Sequence, residues 1–132
     1  HFHLSDTEYE PDILQTINAM EHLKLKACCV SMDYETSINT LNLSKKSSNV
    51  LPFIGVHPEM AQKNTSKIFE MIEKKNQEIS GVGEIGLDRT YITSENDWNI
   101  QKKFFLIKWL LLKNLVNQFQ FIQGKHWMKY LK

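Results

Sequence analysis

The chain opens on His1-Phe2-His3, two imidazoles separated by one residue. On a strand, alternate side chains point the same way, so this spacing lets both rings approach one metal ion. The same spacing is also common among histidines that are merely exposed or hydrogen-bonded, so it needs support from elsewhere in the chain. A third histidine, His57, stands in Gly55-Val56-His57-Pro58-Glu59, directly after an apolar run, where Pro58 fixes the backbone and stops the strand. By itself this is a turn histidine. The segment Gly83-Glu84-Ile85-Gly86-Leu87-Asp88 then places a carboxylate inside an apolar, glycine-flanked stretch. A Glu buried there is costly unless it is protonated, paired or bound to metal, and metal ligation accounts for its presence.

These residues need a frame that brings them together. Ile13, Ile17 and Met20 recur at helical spacing, which predicts a helix over residues 11–25 with Pro11 in its first turn. Residues 27–32 form a short apolar run of the kind buried parallel strands show, and a weaker helical pattern through Ile38 and Leu41 leads to a turn at residues 45–49. A second strand is expected over residues 50–56, a helix capped within residues 64–66 and carrying Ile68, Met71 and Ile72, and a third strand over residues 79–87. Strands separated by helix-length connections imply a parallel sheet of βα units, compatible with either a doubly wound sheet or a barrel. His1 and His3, His57, and Glu84 with Asp88 all fall at or beside strand ends, where catalytic groups collect in such folds.

Composition narrows the class. With 42% hydrophobic and 23% charged residues in 132, the chain is in the range of one globular domain. A net charge of +1 offers no global footprint for nucleic acid or membrane, so any DNA contact must be local. Cys28 and Cys29 are adjacent on a predicted strand, point to opposite faces, and are read as reduced and structural. Lys108 and Lys113 interrupt the apolar residues 104–112, which fall short of the roughly 20 apolar residues of a membrane span. No signal peptide is visible and no Met precedes His1, so the expectation is a cytoplasmic enzyme whose true N-terminus lies upstream.

The order H-x-H, then G-V-H-P, then G-E-I-G-L-D, each at a strand end, resembles the TatD family of deoxyribonucleases. The resemblance covers residues 1–105, including Gln101 and Phe105 in the helix that follows the Glu-bearing strand. It implies a (βα)8 barrel of the metal-dependent hydrolase type, of which this chain would supply about four βα units, with apolar edges prone to pairing or aggregation. It further implies divalent metal ions, two in a complete member and Zn, Mn or Mg in kind, with His1 and His3 on one metal and Glu84 on both. Glu84 is thereby the catalytic residue of the set, and His57 and Asp88 lie on the substrate side. The implied reaction is hydrolysis of a phosphodiester, with DNA as partner and no obligate protein partner readable. Related barrels that hydrolyse amides, and TatD-like proteins that act on aminoacyl-tRNA, keep other substrates open.

Residues 106–132 depart from that pattern. The family's later ligand histidines and aspartate cannot be assigned, and His126 follows no predicted strand and is not taken as a ligand. Back-translated and read from the third base of each codon, His126-Trp127-Met128-Lys129 must encode Leu-Asp-Glu. In the same frame residues 117–125 permit Pro-Val-Ser-Ile-His-Ser-Arg-Glu, which is similar to the family's next strand and ligand histidine. From Lys108 onward the frame permits Met-Ala-Leu-Ala-Glu-Lys-Leu-Gly-Lys, an amphipathic helix ending on glycine. The expectation is a frameshift between Phe105 and Lys108, with a tail that is helical or disordered; the competing one is a genuine amphipathic helix over residues 104–132. Function is accordingly expected to be that of a metal-dependent phosphodiesterase with an incomplete ligand set, or else of a non-catalytic fragment or pseudogene product.

Overall fold

The structure, a computed structural model, describes residues 1–61 and 65–115. Three parallel strands, β1 (Ala27–Val30), β2 (Val50–Gly55) and β3 (Gly81–Gly83), lie side by side in chain order. Cys29 pairs with Pro52 and Phe53 with Gly81 in a register that starts β3 three residues along β2. Pro52 is tolerated in the central strand because its carbonyl, and with it the side of its missing N–H, faces the point where β3 has not yet begun; Ser80 N–H donates to that carbonyl at 2.8 Å. At the other edge Phe2 adds a single parallel bridge to β1, its N–H donating to Cys28 O at 3.0 Å and its carbonyl accepting from Val30 N–H at 2.9 Å.

Helix α1 (Ile13–His22) precedes β1, α2 (Tyr34–Ser44) connects β1 to β2, α3 (Thr65–Lys74) connects β2 to β3, and α4 (Glu95–Leu115) follows β3. This is an α/β chain with an all-parallel sheet, as the alternation of patterns requires. Leu41, Ile54, Val56, Ile68, Met71, Ile72 and Ile79 bury together between α2, α3 and the sheet. Leu4, Ile17, Met20, Cys29, Leu43 and Val50 form a second cluster under α1. Both cysteines are free, and burial pushes the Cys29 thiol up to about 11.

Local structure departs from expectation at three places. Pro11 belongs to a 3-10 segment, Thr7–Asp12, and α1 starts only at Ile13. In α2 the face toward the sheet carries Ser37, Thr40 and Leu41, while Ile38 is exposed. The cause is a polar dock: Ser37 Oγ lies 2.8 Å from Ser31 Oγ at the end of β1, and Asp33 and Thr36 close a capping box at the helix start. The third strand is short, ending at Gly83, so Glu84 follows the strand instead of lying within it. Its φ of 49° breaks the extended backbone. Of the residues expected to cap α3, Asn64 lies outside the described residues, as do residues 116–132 with His126. Across the boundary expected after Phe105, α4 continues as one helix to Leu115.

Candidate metal centre

The single bridge at Phe2 sets the first two histidines. Phe2 turns inward against Tyr9, ring centroids 5.0 Å apart, and alternation sends His1 and His3 to the other side. Their Nε2 atoms lie 2.8 Å apart. Glu84 reaches them from beyond β3, its Oε1 standing 3.1 Å from His1 Nε2 and 3.7 Å from His3 Nε2, with only 15% of its side chain exposed. Two strands, β1 and β2, lie between the partners, so their meeting requires the sheet to curl.

The donor set fits a divalent ion. Ligands 2.0 to 2.1 Å from a metal stand about 3.0 Å apart at octahedral angles and about 3.4 Å apart at tetrahedral ones. The three separations here bracket that range, and all three donor atoms lie within 4.8 Å of one another. His3 Nδ1 is buried with no hydrogen-bond partner, so this ring's polar contacts all go to the cluster. Among the described residues this is the one group of three or more histidine, cysteine or carboxylate side chains able to share an ion.

His57 and Asp88 stand outside that trio, each committed to the turn that follows it. His57 Nδ1 accepts from Glu59 N–H at 3.3 Å, capping the 3-10 turn Pro58–Met60. Asp88 Oδ1 accepts from Thr90 N–H at 2.7 Å and caps Arg89–Tyr91. The Thr90 bonds hold the Asp88 carboxyl below its ordinary value, and the nearby His57 adds to the effect.

Two neighbours of these strand ends come from α4. Gln101, nearly buried, donates from Nε2 to Pro58 O at 3.1 Å and accepts at Oε1 from Asp88 N–H at 2.9 Å. Lys108, 4% exposed, donates from Nζ to Val56 O and, at 2.9 Å, to Glu84 O. Burial pulls the Lys108 ammonium down to about 8, with the Glu84 carboxylate opposing. In the sequence, Gln101 stands out only through resemblance, and Lys108 reads as an interruption of an apolar run. The available signal was their spacing of seven, which puts two polar side chains on one helix face.

Two imidazoles and a carboxylate converge at strand ends of a parallel α/β sheet, a donor set that could hold a metal ion. The chain matches the family described as TatD related DNase over residues 1–114. It belongs to that family. The TatD match extends past Phe105 and takes in Lys108. No curated protein matches the chain. No helix among the described residues is long and apolar enough to cross a membrane.

Proposed function

We propose that the chain is a divalent-metal-dependent phosphodiester hydrolase of the TatD deoxyribonuclease type, built on the first units of a (βα)8 barrel. The meeting of His1 and His3 with Glu84 carries the reading. Three interstrand spacings separate their backbones along the sheet, about 14 Å if it were flat. Side-chain contact across that span needs a curled sheet, and the curl of a barrel wall supplies it. His1 and His3 would hold the ion through Nε2, and Glu84, whose Oε1 faces both rings, would hold it as well and supply negative charge. Bound there, Zn, Mn or Mg supplies Lewis acidity and lowers the pKa of a water at the phosphorus. His57 and Asp88, fixed by their caps on the neighbouring loops, are placed to orient the substrate. DNA is the substrate the family points to.

The test is cleavage of a labelled DNA oligonucleotide with Mn²⁺, Mg²⁺ or Zn²⁺ in turn. Metal-dependent cleavage should disappear in EDTA and fall at least about a hundredfold in Glu84→Ala, the effect of removing one ligand of a small set. Cleavage indifferent to that change sinks the assignment. Among the described residues the trio offers three protein donors where a two-ion site needs more. That shortage favours, as second reading, a non-catalytic fragment, and metal uptake without cleavage of DNA, amide or aminoacyl ester would establish it.

A further inference from the structure

Glu84 is one of two residues other than glycine with positive φ among the described residues, a conformation that persists only where its surroundings over-determine it. The α4 face against the strand ends supplies such surroundings twice. Gln101 ties Pro58 O to the Asp88 amide. One helical repeat of seven further on, Lys108 ties the carbonyl of Val56, just past β2, to that of Glu84, just past β3. Only the second clasp touches the strained residue, and it does so at the carbonyl that defines its ψ. The Lys108 ammonium is buried, and its two hydrogen bonds go to main-chain oxygens, not to a carboxylate.

We propose that Lys108 is a positioning residue: by donating to the Val56 and Glu84 carbonyls together, it holds Glu84 in its left-handed conformation and so aims the carboxylate at His1 and His3. This rests on reading the trio as a metal centre. Donor capacity and charge are separable, because Lys108→Gln keeps two N–H donors without a charge, and Lys108→Met keeps neither.

Two readouts on the full chain test it. In the metal-free protein, ¹⁵N relaxation at Glu84 and Ile85 should give order parameters near 0.85 for wild type and Lys108→Gln, and below about 0.6 for Lys108→Met. In Mn²⁺ titrations, Lys108→Met should weaken binding roughly tenfold to a hundredfold, the range for groups that orient ligands, while Lys108→Gln stays within about threefold of wild type. Wild-type order and affinity in Lys108→Met overturn the proposal, as does a Lys108→Gln that behaves like Met. Should Lys108→Met not fold, Lys108→Gln decides alone: wild-type order and affinity support the proposal, and loss of either overturns it. A wild type that takes up no Mn²⁺ sinks the metal-centre reading and leaves the relaxation data to judge Lys108.

Discussion

Two residues in this chain share one improbable backbone conformation. Lys24, with φ 54°, follows α1, and Glu84, with φ 49°, follows β3. At Lys24 the conformation completes a helix end: Leu25 N–H donates to Met20 O at 2.8 Å and Lys24 N–H to Glu21 O at 3.1 Å, the paired bonds of a Schellman stop. The exposed side chain does nothing there that glycine would not do better. At Glu84 no helix ends. The backbone is held by a side chain from α4, and the consequence is the direction of a carboxylate. The same strain is therefore incidental to packing in one region and tied to side-chain aim in the other, and only the second points to function.

Replacing Glu84 by glycine separates backbone from side chain. Structural zinc sites with four ligands bind with about 10–16 kcal/mol, or roughly 2.5–4 kcal/mol per ligand. Glu84→Gly should therefore lower Mn²⁺ affinity a hundredfold to a thousandfold, while the thermal midpoint of the metal-free protein holds or rises because glycine accepts positive φ freely. Calorimetric titration beside thermal denaturation checks both. Unchanged affinity with a falling midpoint would make Glu84 a packing residue, not a ligand.

The approach of β2 to β3 is a second route to the same carboxylate. A Cβ on Gly55 would strike the carbonyl of Gly83, the residue before Glu84, and main chain cannot swing aside as a flexible side chain can. Gly55→Ala should cost about 1–3 kcal/mol in urea unfolding and weaken Mn²⁺ binding as the end of β3 shifts. A variant destabilised by that much with Mn²⁺ affinity intact would show that Glu84 is held by α4 alone.

Much of this architecture is legible in the letters. Continuous apolar runs gave β1 and β2 close to their ends, and Ile68, Met71 and Ile72 gave the buried face of α3. The shared side of His1 and His3 was legible because H-x-H encodes its own geometry once Phe2 pairs with β1. What escaped was set by distant contacts. The apolar letters of residues 79–87 continue the strand pattern, yet β3 stops at Gly83, and Lys108, whose partners lie 24 and 52 positions away, holds the residue beyond it. A charge in an apolar run reads locally as an interruption, and nothing near it in sequence announces two waiting carbonyls. The exposure of Ile38 has a similar cause, since the facing surface at Ser31 offers a hydroxyl to Ser37.

Lys24 supplies the smallest effect and the cleanest control. A left-handed residue with a Cβ carries about 1–2 kcal/mol of strain, and glycine's greater freedom in the unfolded chain takes back part of any relief. Lys24→Gly should thus stabilise the chain by about 1 kcal/mol, which is roughly 4 °C or somewhat less in thermal midpoint for a chain of this length. Mn²⁺ affinity should not move, because the Schellman stop lies at the far end of α1 from the histidines and already contains every hydrogen bond the turn needs. A gain in stability accompanied by a change in Mn²⁺ binding would mean that α1 helps hold the His1-Phe2-His3 segment in place, and the two left-handed residues would then belong to one coupled unit.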